Sequence, residues 1–402
     1  MIKTIYRELG FAPLRAPIYS KAVIEGAKKL FNAFPLKNTI LRPCVIEQTI
    51  REETFAISTA EGEALTREEA DKIVITPEFQ ARLEKYRNDV TLTAREKYER
   101  LENENIRDIE NNMSGIAFGE LSVDFLCELH RCLTIGLDEY AHDLGIARYH
   151  PFDLRKSNAT KVGKMRQYTP PDHKTVSVLL KSLFKSFAGR KTIYLTDILE
   201  FHILLYAVHP FSNGNKRVCR LLESLLLNHY GYSADKVISL SVYYGEKKES
   251  YNFFFIESLR NSDVGPFVNF GIRGYFYAGI KIFSQNLENF VAREYAPSYG
   301  RKVLNFFNQD KTKSKKTLKH YQRAAKVIME LNGVFTHKQF TDQMKRHGCA
   351  LGVSQEILKF LKKEKLLLHK DRLYFIESAP EVNQFNKELT RFLLKNNIQT
   401  EE

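Results

Sequence analysis

Two apolar runs at helical spacing, separated only by His209 to Gly214, limit what this chain can fold into. Ile198, Phe201, Leu205 and Val208 recur at three, four and three residues, so they line one helix face, with Thr196 as its N-cap and Pro210 as its stop. Val218, Leu221, Leu222, Leu225 and Leu226 fall at i, i+3, i+4, i+7 and i+8, and Gly231 closes this second helix. The stretch between them is therefore a tight helix-loop-helix corner. Gly214 and Asn215 open the second helix and leave backbone N–H groups at the positive end of its dipole, which makes an anion cradle. Arg217 and Arg220, three apart, have the spacing to converge on one phosphate chain. His209 sits at the mouth with a side chain able to take a proton near neutral pH. A capping or core histidine and a solvated arginine face are the bland alternatives.

The string His209-Pro-Phe-Ser-Asn-Gly-Asn-Lys-Arg-Val-Cys-Arg220 resembles the Fic family motif HPFx(D/E)GNGRxxR, with identities at His209, Pro210, Phe211, Gly214, Asn215 and Arg217. The resemblance covers roughly residues 45 to 290 and is close only at the motifs. It implies a mainly α fold, a Fic-type helical bundle with a short β-hairpin flap. It also implies that a target hydroxyl attacks the α-phosphate of ATP and that AMP is transferred with loss of pyrophosphate. In that scheme His209 is the base, Gly214 and Asn215 bind phosphate oxygens, and Arg217 and Arg220 neutralise the β and γ phosphates. Phe211 is a buried anchor. The segment Lys156 to Tyr168, before Thr169-Pro170-Pro171, is similar to the family's target-positioning hairpin, and Tyr243 to Phe255 resembles the segment that walls the base.

Two motif positions depart from the pattern. Asn213 stands where the family has an acidic residue that helps hold Mg2+, and an amide supplies only a neutral oxygen. Lys216 replaces the second glycine, as in the family's phosphotransferase branch, and is positioned either to crowd the phosphate path or to pair with a phosphate. The resemblance thus implies protein adenylyl transfer from ATP with Mg2+, with a phosphotransferase acting on a target protein as its rival. Upstream, Ala56 to Glu63 resembles the family's inhibitory helix, here near residues 54–70. It ends in Glu61-Gly62, and Glu61 would pair with Arg220 in place of the γ-phosphate. An ordinary surface glutamate in an acidic run is the alternative.

The rest of the chain supplies organisation. Composition is globular, 43% hydrophobic and 27% charged, and 402 residues suggest two or three domains. No run of eighteen apolar residues lacks a charge, and Lys3, Arg7 and Glu8 fall where a signal peptide needs apolar residues, so a cytoplasmic protein with no membrane partner is expected. Five scattered cysteines without a CxxC pair fit a reducing compartment. Residues 77 to 112 read as long, charged surface helices. The expected divisions are an N-terminal helical region 1–110, a Fic core 111–300, a Lys-rich linker 301–316, a winged-helix-like domain 317–378 and a helical tail 379–402.

Charge is uneven. Residues 301 to 402 hold 21 Lys and Arg against 11 Asp and Glu, whereas the first 300 residues hold 40 against 37. Helices from Leu318, from Thr336 and from Ser354 as N-cap, followed by two short strands within Leu366 to Ile376, look like a winged helix-turn-helix. Gln355, Lys359, Lys362 and Lys363, with Lys370 and Arg372 on the wing, would then meet DNA. A protein-interaction module fits the same residues. This leaves a further reading, a nucleotide-sensing DNA-binding regulator with little catalysis.

Overall fold

The computed structural model describes residues 2–33, 41–59, 79–141, 144, 153–158, 168–233, 237–290, 305, 315–331, 334–364, 366–370, 373–375 and 380–398. They are mainly helical, with one sheet of three short strands among them. Two compact units result, Met1–Asn32 with Pro43–Ile280 and Ala33–Arg42 with Lys281–Glu402.

The first unit is built on α1 (Ile2–Leu9), α2 (Lys21–Asn32), most of α3 (Leu41–Ser58), α4 (Phe79–Asn88), α5 (Ala94–Asn112), α6 (Val123–Thr134), α7 (Val176–Ala188), α8 (Leu195–Val208), α9 (Asn215–His229), α10 (Leu240–Glu246), α11 (Lys248–Asn261) and the greater part of α12 (Gly265–Phe290). Its centre is α8, in which every residue is buried. α9 and α7 pack on α8, and α1 packs on α7. Each fully buried Leu, Ile or Phe of α8 contributes about 1.5–3 kcal/mol, which outweighs the modest helix propensity of its aromatic and β-branched positions.

The expected N-cap of this helix moves. α8 starts at Leu195, and the Tyr194 N–H donates to Asp197 Oδ2 at 2.7 Å, so Thr196 lies within the first turn. Asp197 reaches back because its other oxygen is held in an ion pair by Arg190. Arg190 also meets Glu200, and Tyr6 donates its hydroxyl to Glu200 at 2.6 Å, which ties α1 to α8.

Residues 77 to 112 hold two helices, as expected, but the second of them, α5, is not a surface helix. α5 buries Glu99, Glu102, Glu104, Arg107 and Glu110 together with Asn103 and Asn105. Charge alone suggested exposure, but Glu99, Glu102 and Glu104 find cationic partners in Arg95, Arg217 and Lys85. Lys85 and Tyr86 both bond Glu104, at 2.6 and 2.5 Å, and Asn105 donates to the carbonyls of Leu133 and Ile135. Thr93 caps α5 through a reciprocal pair of bonds with Glu96.

In the second unit the order is α13 (Lys315–Glu330), β1 (Val334–Thr336), α14 (His337–Arg346), α15 (Leu351–Lys363), β2 (Leu368–Lys370), β3 (Leu373–Phe375) and α16 (Pro380–Lys395). The strands are antiparallel in the order β1-β3-β2. β1, three residues long, is too short to show an alternation and was not expected. Thr336 caps α14 as expected, but Ser354 is not a cap: α15 begins at Leu351 after Ala350, and the buried Ser354 hydroxyl donates to the Ala350 carbonyl one turn back. Ala324, Val327, Ile328, Phe335, Phe340 and Leu361 lie in one core. Gln355, Lys359, Lys362 and Lys363 are exposed on α15, while Arg372 lies outside the described residues.

Tight packing at α12 yields a test. A Cβ on Gly274 would stand 2.4 Å from the ring of the buried Tyr243, which is itself stacked among Phe270 and Tyr277. Gly274→Ala gains about 1 kcal/mol of helix propensity but forces that ring to shift, at about 1–3 kcal/mol. The expected result is a net loss of stability, read as a lowered midpoint in thermal denaturation. An unchanged or raised midpoint would show that the ring yields without cost.

Candidate active site

The corner between α8 and α9 is held in an uncommon backbone shape. His209 ends α8 in the left-handed region, φ 51° and ψ 63°, with its N–H shared between the carbonyls of Leu205 and Tyr206. Gly214 precedes α9 at φ 79°, and a Cβ there would meet His130 Nε2 at 3.3 Å, so both conformation and space favour glycine. Pro210 follows His209 and cannot continue the helix.

The amide of Asn215 fastens this loop. Its Oδ1 accepts from the Phe211 N–H and its Nδ2 donates to the Phe211 carbonyl, both at 2.9 Å, which fixes which end of the amide is which. The same Nδ2 lies 3.1 Å from His209 Nε2. Nε2 is then the acceptor of the imidazole, the atom at which His209 can receive a proton. His209 is 7% exposed.

Two residues that sequence reasoning missed complete the frame. Arg155 donates from Nε to the His209 carbonyl at 2.7 Å and from its backbone N–H to the Pro210 carbonyl at 2.9 Å. Its Nη1 and Nη2 reach the carbonyls of Ser157 and Pro171. Burial pulls the Arg155 pKa below the usual guanidinium value, with Asp172 opposing. His130, on α6, stacks flat on Phe211 with ring centroids 3.9 Å apart and bonds the Asn213 carbonyl at 3.0 Å. His130 shares the stripe of Leu126, Leu129 and Leu133 at helical spacing, which was its available signal. Arg155 had none, since it lies in a stretch without periodicity. Tyr168 donates its hydroxyl to the Ala207 carbonyl at 3.0 Å, and burial pushes its pKa up to about 12.

The motif cations are directed to different partners. Lys216 Nζ lies 3.4 Å from Asn252 Oδ1 on α11. Arg217 is ion-paired with the buried Glu102 of α5. Arg220 donates from Nη1 to the Ala56 carbonyl of α3 at 2.7 Å, and its guanidinium lies 4.4 Å from the Tyr251 ring centroid. The structure thus gives Arg217 and Arg220 different partners on different helices. Asn213 Oδ1 accepts from the Gly214 N–H at 2.7 Å. Phe211 is buried. Tyr243, Tyr244, Tyr251 and Phe255 are also buried, in an aromatic cluster with Phe267 and Phe270. Glu61 and residues 159–167 of the flap segment lie outside the described residues.

With this geometry in place, residues 120–227 match the sequence model of the Fic/DOC family. This chain carries a Fic/DOC domain. Over 108 residues, 26% of the chain, it is 28% identical to the "Protein adenylyltransferase Fic" of Aedes aegypti, and the match spans 20% of that protein's length. A Fic family protein from Desulfovibrio desulfuricans G20 superposes with a TM-score of 0.50 at 14% identity, covering 90% of this chain and 99% of that one, which is a likeness of fold. Fic-1 from C. elegans gives a TM-score of 0.49 at 18% identity over 71% of this chain and 73% of that chain. No helix among the described residues is long and apolar enough to cross a membrane.

Arg155→Met removes a charged donor and strands the His209 and Pro171 carbonyls, at a cost of about 2–3 kcal/mol. Chemical denaturation of the variant checks this. A loss below about 0.5 kcal/mol would show that the corner holds its shape without the guanidinium.

Proposed function

We propose that this Fic/DOC domain transfers AMP from ATP to a hydroxyl side chain of a target protein. The observation that carries the reading is the juxtaposition of His209 Nε2 with Asn215 at the start of α9, a proton acceptor beside a phosphate-binding helix terminus. The 28% match over 108 residues to an adenylyltransferase supports it. In the step proposed, His209 Nε2 exchanges its bond to Asn215 for the target's hydroxyl and takes the proton. The freed oxygen forms a bond to the α-phosphorus, and the bond from that phosphorus to the bridging oxygen breaks. Pyrophosphate leaves. The N–H groups opening α9 hold phosphate oxygens, and Arg217 and Arg220 oppose charge on the β and γ phosphates once their present partners give way.

No step is routed through Mg2+. Mg2+ is held through carboxylates and substrate phosphates, whereas Asn213, the residue at the expected position, offers a neutral oxygen that already accepts the Gly214 N–H.

Phosphotransfer to a target protein is the second reading, favoured by the cation of Lys216 in the first turn of α9. A nucleotide-sensing regulator would instead use the exposed Gln355, Lys359, Lys362 and Lys363 of the second unit to contact an acidic partner such as DNA, with little catalysis. Incubation with ATP labelled at the α or the γ phosphate separates the three. Label on protein from α alone is expected. Label from γ alone would establish phosphotransfer, and no label would favour the regulator. His209→Ala should reduce labelling by about 10²–10⁴-fold with little change in melting temperature, and undiminished labelling would remove His209 from the mechanism.

Glu61 is proposed as an internal brake on Arg220. The Ala56 carbonyl already bonds Arg220, so the chain leading toward Glu61 starts beside that guanidinium. Glu61→Gly should raise self-labelling several-fold in an otherwise unaltered chain and leave it unchanged in an Arg220→Ala background. Equal labelling of wild type and Glu61→Gly would make Glu61 an ordinary glutamate.

A further inference from the structure

Arg217 meets its counter-ion inside the protein, and that counter-ion comes from outside the motif. Glu102 lies on α5 and Arg217 on α9, each is 3% exposed, and they form an ion pair. A buried guanidinium stripped of a carboxylate is costly, so a carboxylate at this place neutralises the arginine when no nucleotide is bound. Arg217 also faces the start of α9, since a Cβ on Gly214 would lie 3.9 Å from its Nη2. One guanidinium therefore runs from Glu102 to the point where phosphates would enter. A phosphate drawn to Arg217 meets the negative charge of Glu102 in a water-poor interior, where like charges repel strongly.

We propose that Glu102 is a tethered anion of the nucleotide site. It sets ligand preference by making each incoming phosphate compete for Arg217, so it weakens polyphosphates selectively. This rests on the reading of Arg217 as a phosphate ligand. A nucleoside monophosphate held by the opening turn of α9 does not call on Arg217 and leaves the ion pair in place. A triphosphate must share or displace it. When pyrophosphate leaves, Glu102 retakes the guanidinium, which speeds release of that product. The device differs from the proposed brake at Glu61, which acts on Arg220.

Calorimetric titration of the full chain with ATP, tripolyphosphate and AMP tests this. Glu102→Gln, which keeps the shape and removes the charge, should bind ATP and tripolyphosphate about tenfold more tightly than wild type, with AMP unchanged. Its melting temperature without ligand should fall, and ATP should raise it by more than it raises the wild type's. A purely structural role for Glu102 would produce the fall without the tighter binding. If Glu102→Gln does not fold, Glu102→Asp, with a shorter and weaker pair, should show the same selective tightening in smaller measure. In an Arg217→Gln background the Glu102 substitution should make no difference to ATP affinity. Unchanged or weaker ATP binding by the Glu102 variants, with a wild type that binds ATP, overturns the tethered anion alone. A wild type that binds neither ATP nor tripolyphosphate overturns the reading of Arg217 as a phosphate ligand and takes this proposal with it.

Discussion

The left-handed backbone of His209 is the constraint on which the site depends. A β-carbon in that region crowds the following carbonyl and costs about 1–2 kcal/mol, so the shape persists only because its surroundings over-determine it. Here the clamps come from three directions. Arg155 takes the His209 carbonyl, Asn215 reaches back to the imidazole and to Phe211, and His130 supports Phe211 and the Asn213 carbonyl. These residues come from three separate segments, so the corner is a tertiary product. The local string between two helices is necessary to it and not sufficient.

The second constraint is electrostatic. A bundle that encloses a charged site has to neutralise arginines which point inward, and α5 does this for Arg217 with the buried carboxylate of Glu102. Isolated buried charges would cost several kcal/mol each, whereas paired and hydrogen-bonded ones are tolerated. The polar character of α5 belongs to the interior for this reason, and only its outer side is a solvated face.

Much of the helical frame was legible in advance because apolar spacing reports burial directly. α9 and α14 began where their periodicity or cap placed them. α8 did not, because the capping power of Asp197 depends on Arg190 and on a backbone bond to Tyr194, a preference that Thr196 could not reveal. Ser354 misled for a related reason: a serine one turn into a helix has the same composition signal as a cap, and only its back-bond to Ala350 tells them apart. The chemical residues of the corner were readable from their fixed spacing. Their partners were not, since Glu102 lay hidden in a run of like-looking charges and Arg155 in a stretch without rhythm. Side-chain direction, which sends Arg217 to α5 and Arg220 to α3, is set by those partners and so lies beyond what i, i+3 spacing can say.

The complete burial of α8 carries a kinetic consequence for the site that hangs from its end. Backbone amides in such an element exchange with solvent only through large-scale opening, because no smaller fluctuation exposes them. A candidate base attached to the C-terminus of that helix inherits its persistence on one side, and on the other it is tied to a turn whose Phe211 is buried against His130 and bonded by Asn215. The histidine is therefore fixed from both ends.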